Sequence, residues 1–322
     1  MAVDSATRVG DSPSVASGGG AGNALPVAKR RRRPPWRNPW RHAWFLEGFT
    51  WLYLIWSIVP IGLAVLFSFN KGKSQSAWQG FSLRWYITDP VNSVLHGAVY
   101  HQAVIQTLRL SFLTTVITVP LGVAFAIGIN RWRTRTSASF NFVMILSFVV
   151  PELIFGVALF SVFSQLYTNI KLGTWAEVLG LVVWNISWPA IIVVARLVSI
   201  GPSFEEAAAD LGASRFEAVR RVLLPLLSPA IFASAVLVFA GVIDDFVIVD
   251  LLSSSASSQP VSVLIYSTTR GGNNGPALNA IATIMLFVSL IVATLGYFAY
   301  RWMTRGERGA GSEGALANIA GM

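Results

Sequence analysis

Long apolar runs alternate with shorter polar connectors along most of the chain. A helix needs about 20 apolar residues to cross the hydrocarbon core of a bilayer. Six runs reach that length, at about 44–69, 103–129, 140–164, 178–199, 230–252 and 278–300. The pattern therefore predicts an all-α membrane protein with six transmembrane helices.

The two ends of the chain do not share this apolar pattern. Residues 1–28 are rich in Ser, Gly and Ala, and the basic run Lys29–Arg33 follows them. Such a composition is typical of a disordered tail. The first long apolar run begins near Trp44, too late for a cleaved signal peptide, so we expect it to remain as an anchor. We predict a disordered basic tail at 1–43, a transmembrane domain at 44–300 and a second tail at 301–322.

Basic residues concentrate on one side of the membrane when the six runs are threaded alternately. With a cytoplasmic N-terminus, the inner side holds Lys29–Arg33, Arg37, Arg41, Arg131, Arg133, Arg135, Arg215, Arg220, Arg221, Arg301, Arg305 and Arg308. The outer side then holds only Lys71, Lys73, Arg84, Lys171 and Arg270. Because cytoplasmic loops carry the excess of Lys and Arg, both termini are predicted to be cytoplasmic.

Composition narrows the possible functions. The chain has 12% charged residues, whereas a soluble domain carries about 25%. Its net charge of +9 comes from basic residues beside apolar runs, which favours attraction to membrane lipid over nucleic-acid binding. Cysteine is absent, and His42, His96 and His101 lack metal-ligand spacing. Without a phosphate-binding G-x-x-x-x-G-K-S/T sequence, we expect no metal, cofactor or nucleotide on this chain; an intramembrane enzyme is the less favoured alternative.

The connector between the fourth and fifth predicted spans, residues 202–225, has the pattern of two short helices. Two Ser-x-x-Glu capping boxes begin them, Ser203 with Glu206 and Ser214 with Glu217. Gly212 can adopt the left-handed conformation that ends a helix, so we expect a hinge there. Pro225 is expected to stop the second helix.

This connector is longer than the 2–8 residues that commonly join two helices. Its first helix would place Phe204, Ala207, Ala208 and Leu211 on one face. It would also present three acids to the cytoplasm, Glu205, Glu206 and Asp210. The extra length predicts a docking surface for a cytoplasmic partner, with capping of the helix bundle as the alternative.

One spaced signature runs through the connector: Glu206, Ala207, Ala208, Gly212, Val222, Leu224 and Pro225. It resembles the EAA signature of ABC importer permeases, in which isoleucine is usual where Val222 stands. The resemblance extends from about Gly80 to Tyr300. It implies the type I ABC importer permease fold, with six spans, in a bacterial inner membrane. In that family the connector is the coupling helix, which sits in a groove of the ATP-hydrolysing subunit.

The resemblance also implies the partners of the chain. They are two copies of an ABC ATPase, which would hold ATP and Mg, a second homologous permease, and an extracytoplasmic substrate-binding protein. ATP hydrolysis would then reside in a partner chain. The implied coupling residues are Glu205, Glu206, Ala207, Ala208, Asp210, Gly212, Leu224 and Pro225.

Further segments are similar to the spermidine/putrescine permeases. They are GFSLRWY at 80–86, DDFVI at 244–248, and the residues Pro260, Ile265, Tyr266, Ser267, Arg270, Asn279, Ala280 and Thr283. Gln106 and Thr107 depart from the Asn and Thr or Ser that related permeases often show. The implied substrate is a polyamine, with another small organic solute as the alternative.

Three acids fall at or near the middle of predicted spans, Glu152, Asp244 and Asp245. A charge at the bilayer centre costs about 2.5–3.5 kcal/mol on insertion scales, so such groups face a bundle interior or a water-filled path. We expect Glu152 and one aspartate to line the route of an organic cation, because successive helical residues point about 100° apart. A structural role, including pairing with Arg109 or Arg196, is the alternative.

Trp184 and Trp188 share one helix face, where they either stack on an ammonium group or pack against neighbours.

Two other function classes remain as alternatives to the ATP-driven importer. A carrier driven by an ion gradient also uses intramembrane acids, and a receptor that transports nothing is a third possibility. The connector favours the ATP-driven importer, because a gradient-driven carrier needs no dedicated cytoplasmic dock.

Overall fold

The computed structural model describes residues 44–74, 77–131, 139, 142, 144, 146–167, 169–254, 258–272 and 275–303. The predicted tail at 1–43, with its basic run Lys29–Arg33, lies outside these residues, as does most of the tail predicted at 301–322. Some of the arginines that predict the orientation also lie outside them: Arg37, Arg41, Arg133, Arg135, Arg305 and Arg308.

The chain divides into two compact units, Met1–Trp56 and Ser57–Met322. In the first unit, residues 44–56 are described, and they form the beginning of helix α1 (Trp44–Ser68). Every side chain of this stretch is exposed, although most are apolar. A long exposed apolar helix matches the lipid-facing surface of a membrane span.

The second unit is built from helices in the part of the chain that is described. After the end of α1 they are α2 (Ala98–Arg131), α3 (Glu152–Ser161), α4 (Thr174–Asn185), α5 (Ser187–Ile200), α6 (Ser203–Asp210), α7 (Arg215–Ala218), α8 (Leu224–Asp244), α9 (Val247–Leu252), α10 (Val261–Arg270) and α11 (Pro276–Met303). Single π-helical turns lie at Arg84–Thr88, Val162–Leu166 and Val219–Leu223. One isolated antiparallel bridge joins Asn70 to Phe81.

Among the described residues, five helices are long and apolar enough to cross a membrane: Trp44–Ser68, Ala98–Arg131, Thr174–Ile200, Arg215–Asp244 and Pro276–Met303. The predicted third span, 140–164, is not one continuous helix. Residues 146–149 are helical, the backbone bends at Val150, and the shorter apolar helix Glu152–Leu166 begins after Pro151. Proline causes the break, because its ring clashes with the preceding turn and its nitrogen carries no hydrogen.

The core lies where α2, α5 and α8 pack against one another. Fully buried side chains fill it, including Leu110, Val193, Leu197, Leu227 and Val238. At Gly122 of α2, an added Cβ would lie 2.5 Å from Cγ of Pro189 in α5. Only glycine therefore allows these two helices to approach so closely, which is a common device in membrane bundles.

A second buried cluster lies between the segment that follows α1 and helices α10 and α11. Trp85 is buried there, and its indole Nε1 donates to the backbone oxygen of Asn70 at 2.7 Å. Leu264 of α10 and Ile281 of α11 belong to the same cluster. This packing holds the segment that follows α1 against the last span, at the end of the bundle that the charge pattern predicts to be extracytoplasmic.

Candidate functional site

The connector forms the two predicted helices, α6 and α7, around Gly212. Gly212 has a φ of +85°, the left-handed conformation that a helix end favours. Gly212 N donates to Ala209 O at 2.9 Å and Ala213 N to Ala208 O at 3.0 Å, which closes the end of α6. The left-handed helix end predicted at Gly212 is therefore confirmed.

One of the two predicted capping boxes forms. Ser214 Oγ accepts from the backbone N–H of Glu217 at 3.3 Å, and the Glu217 carboxylate accepts from the N–H of Ser214 at 3.2 Å. The box predicted for Ser203 and Glu206 is wrong. Pro202 occupies the capping position of α6, and its carbonyl accepts from Glu205 N and Glu206 N, so Ser203 is already the first helical residue.

The expectation that Pro225 stops the second helix is also wrong. Helix α7 continues through the turn Val219–Leu223 into α8, which makes Arg215–Asp244 one 30-residue rod. Pro225 lies directly after the π-helical turn Val219–Leu223, and this local change in the hydrogen-bond pattern accommodates its missing N–H inside the rod. The second helix of the connector is thus continuous with a membrane span.

The exposed surface of the connector is apolar and acidic. Leu211 is 90% exposed, and Phe216, which sequence reasoning missed, is 72% exposed. Glu206, Ala207 and Asp210 are exposed as predicted, while Ala208 is half-buried. Large exposed apolar side chains with charged neighbours are typical of a protein contact surface.

Glu205 does not point to solvent, contrary to the prediction. Its carboxylate lies 2.8 Å from Nε of Arg131, the last residue of α2, and each side chain is only 20% exposed. The helical period explains the difference, because Glu205 and Glu206 lie about 100° apart around α6. The two adjacent acids therefore lie on different faces of α6.

A partly open cavity of about 500 Å³ lies between α3, α4, α5 and α8, and we call it the acidic cavity. Its lining residues are Glu152, Trp184, Asn185, Trp188, Leu237, Ala240, Gly241, Asp244, Asp245, Phe246 and Val247. All the residues that the sequence predicts for a substrate route line this one cavity. No Lys, Arg or His is among the lining residues that the structure describes.

Two helix breaks bring the acids together. Glu152 begins α3 directly after Pro151, while α8 ends at Asp244 and Asp245 is extended, with φ −60° and ψ 130°. Both aspartates therefore reach the cavity, and the prediction that only one could do so is wrong, because the 100° rule holds only where the helix continues. Asp245 lies close to the Glu152 carboxyl, and its buried Oδ1 has no hydrogen-bond partner among the described residues.

Aromatic rings form another wall of the acidic cavity. Trp184 packs against Phe155 with ring centroids 5.2 Å apart, and Trp188 meets the edge of Phe148 at 4.9 Å. Trp188 remains 43% exposed. Both tryptophans therefore have the packing role that was one alternative, and they also face the cavity, where an indole can attract a cation.

The family described as the binding-protein-dependent transport system inner membrane component matches residues 118–309, more than half of the chain. The chain belongs to this family of permeases. It is a multi-pass membrane protein and a transport component.

Two relatives from Escherichia coli cover most of this permease. The putrescine transport system permease protein PotI is 31% identical over 294 residues, 89% of this chain and 95% of the relative. The spermidine/putrescine transport system permease protein PotC is 29% identical over 262 residues, 81% of this chain and 96% of the relative.

Solved structures share the fold of this permease at low sequence identity. A bacterial ABC transporter that imports alginate covers 81% of this chain and 96% of its own, with a TM-score of 0.63 and 17% identity. The MetNI methionine ABC transporter covers 68% of this chain and 100% of its own, with a TM-score of 0.55 and 19% identity. The predicted importer permease fold is therefore confirmed.

Sequence reasoning missed one intramembrane acid of the permease. Glu177, in the first turn of α4, is fully buried, and it accepts from Gln106 Nε2 of α2 at 2.9 Å. Gln106 also donates to Thr174, and Thr107 accepts from the backbone N–H of Val261. Gln106 and Thr107, which depart from the residues that related permeases often show, thus belong to a buried polar network that connects α2 to α4 and α10. The predicted fourth span began one residue after Glu177, so Glu177 fell outside the predicted spans.

Proposed function

We propose that this permease carries a polyamine, spermidine or putrescine, into the cell, with energy from a separate ATPase. The observation that carries the proposal is the acidic cavity. Three carboxyl-bearing residues and two tryptophans line it without any basic residue among those described. The similarity to spermidine/putrescine and putrescine permeases supports the same substrate class.

The chemistry of the acidic cavity suits an organic cation. Acids inside a membrane bundle create a negative potential that attracts cations and repels anions. Glu152, Asp244 and Asp245 would bind the ammonium groups, and Trp184 and Trp188 would contact the cation through their ring faces. The methylene chain of a polyamine would lie against the apolar residues of the same wall, such as Leu237.

The connector supplies the link to the energy source in this proposal. Both termini face the cytoplasm of a bacterium, so the connector lies on the cytoplasmic side, where two ATPase copies hold ATP and Mg. Glu206, Ala207, Ala208, Asp210 and Gly212 form the docking helix and its hinge. Leu224 and Pro225 join it to the span that ends at the acidic cavity.

The remaining partners complete a pathway. A second homologous permease forms the other half of the translocation route, and an extracytoplasmic binding protein delivers the substrate. When ATP closes the ATPase pair, the docked connector moves with it. Because Arg215–Asp244 is continuously helical, that motion is carried along it to Asp244.

The substrate is tested by uptake of labelled spermidine and putrescine in cells that carry or lack this chain. We expect uptake only in cells with the chain, and competition by unlabelled polyamines but not by amino acids, sugars or sulfate. Competition by one of those solutes instead would move the substrate to another class. Replacing Glu152, Asp244 and Asp245 singly with their amides should lower uptake; no change in all three would exclude the acidic cavity as the route.

The energy source is tested by inactivating the ATP site of the partner ATPase. We expect polyamine uptake to stop, because this chain has no phosphate-binding sequence of its own. Uptake that persists without the ATPase and collapses with the proton gradient would favour the gradient-driven carrier.

A further inference from the structure

We propose that the ion pair between Arg131 and Glu205 is a positioning strut that makes α2 move together with the docking helix α6. The proposal rests on the proposed ATP-driven function. It goes beyond the EAA signature, which contains Glu206 but neither member of this pair.

The geometry of Arg131 is that of a fixed clamp. Its Nε lies 2.8 Å from Oε2 and 3.0 Å from Oε1 of Glu205. Another guanidinium nitrogen donates to the backbone oxygen of Gly201 at 3.0 Å, and the third donates to Asn130 Oδ1 at 2.8 Å. A planar guanidinium held at all its nitrogens has little freedom to rotate, so the pair fixes direction as well as distance.

A cavity separates α6 from the bundle, so the ion pair of Arg131 with Glu205 is needed to connect α6 to α2. A cavity of about 580 Å³ lies between α6 and the bundle, and its lining includes Ile127 and Arg131 of α2, Ala209 of α6 and Leu223. Close-packed side chains transmit displacement, and across this cavity α6 has no such direct packing against α2. Arg131 and Glu205 lie in the wall of this cavity and bridge it.

Two routes therefore lead from the docking helix into the membrane. One runs through Gly212 and the rod Arg215–Asp244, against whose first turns α6 packs. The other runs from Glu205 through Arg131 into α2. Helices α2 and α8 pack together in the core, so both routes must deliver the same displacement for the bundle to move as one body.

The ion pair of Arg131 with Glu205 is partly shielded from water, which strengthens it. Both side chains are 20% exposed, whereas the pair of Arg221 with Glu217 lies at 3.7 Å with 77% and 44% exposure. An exposed pair contributes little, because water and salt screen it. Arg221 with Glu217 is therefore the matched control for Arg131 with Glu205.

The test exchanges the two charges in the assembled transporter. Arg131→Glu and Glu205→Arg are made singly and together, and uptake and ATP hydrolysis are measured per complex in proteoliposomes. We expect each single reversal to lower the number of substrates carried per ATP about tenfold, within the range of known coupling effects, while hydrolysis continues. The exchanged pair should recover at least half of the ratio.

Arg221→Glu is the control and should leave the ratio within twofold of the wild type. If a single reversal prevents assembly, Arg131→Gln and Glu205→Gln remove the charges at similar volume, and their ratio should fall by the same mechanism. An unchanged ratio in these variants, or an exchanged pair no better than the single reversals, would overturn the strut. Wild-type complex that carries no polyamine, or carries it without ATP, would instead contradict the proposed function.

Discussion

In the connector the backbone follows rules that act over four residues, whereas in the acidic cavity the decisive features are two places where a helix ends inside the bundle. Gly212 and the box of Ser214 with Glu217 shape the connector locally. The cavity depends on Pro151 and Asp245, which interrupt helices from distant parts of the chain. The conformation of the connector thus follows from its local sequence, while the arrangement of the cavity depends on how distant segments of the chain pack together.

The largest expected loss of uptake comes from neutralising the acids of the acidic cavity. The double change Glu152→Gln with Asp245→Asn removes two of its three acids, so a cation loses most of its attraction. We expect polyamine uptake to fall about a hundredfold, or roughly 2.8 kcal/mol at 1.4 kcal/mol per tenfold change. Initial uptake rates in cells with equal amounts of the protein provide the measurement.

Asp250→Asn is the matched control for this loss. Asp250 lies in α9 beside the same segment, but it is exposed and does not line the acidic cavity. Uptake by the Asp250 variant should stay within twofold of the wild type. An equal loss in both variants would show that general acidity of the segment, and not the cavity, attracts the substrate.

The next largest effect is expected from replacing the glycine that holds the left-handed conformation in the connector. Gly212→Val forces a β-branched residue into φ +85°, at a cost of about 1–2 kcal/mol or more. We expect the end of α6 to shift and uptake to fall about tenfold at constant substrate affinity, a difference seen by comparing maximal rate with half-saturating concentration. Gly62→Ala, at a helical position with nothing within 4 Å, should leave uptake unchanged.

A gentler change distinguishes the two serines that have the same spacing. Ser214→Ala removes a capping bond worth about 1 kcal/mol, so amide hydrogen exchange at Arg215–Ala218 should speed up about fivefold. Ser203→Ala should leave the exchange of α6 unchanged, because no side chain caps that helix. Equal effects at both serines would mean that the capping box at Ser203 forms in the working transporter.

These two regions show what the sequence could predict. Apolar run length predicted the helical membrane fold, and local motifs placed the hinge at Gly212 and the cap at Ser214. The same local rules failed at Pro202 and Pro225, where a neighbouring residue took the capping position or the helix continued through it.

The residues of the acidic cavity were predicted from their charge and depth, but their arrangement was not. Period rules assume an unbroken helix, and Asp245 lies where α8 stops. The pair of Arg131 with Glu205 joins residues 74 positions apart, and that of Gln106 with Glu177 joins residues 71 positions apart. No local pattern in the sequence marks such partners, because only the packing of α2 brings them into contact.

The smallest expected effect concerns a third region, the turn after Arg84–Thr88, which lies outside the spans. Here Asp89 Oδ1 accepts from Asn92 N at 2.9 Å and from Val91 N at 3.1 Å, and Arg84 lies 2.8 Å from Oδ2. The N–H of Asn92 lowers the pKa of Asp89 most; burial opposes it, and Val91 and Arg84 lower the pKa further. The folded pKa therefore lies below the unfolded one.

A lowered pKa in the folded state means that Asp89 stabilises the turn fully above the unfolded pKa of about 3.9. The contribution is lost as the pH falls through the folded pKa. Amide exchange of residues 91–97, corrected for intrinsic rate, should stay constant from pH 8 to 5 and rise only below about pH 4. Asp89→Asn should exchange faster at pH 7 and lose this acid dependence. A wild-type turn that already loosens at pH 6 would contradict the assignment, because no paired carboxylate with a lowered pKa gains a proton there.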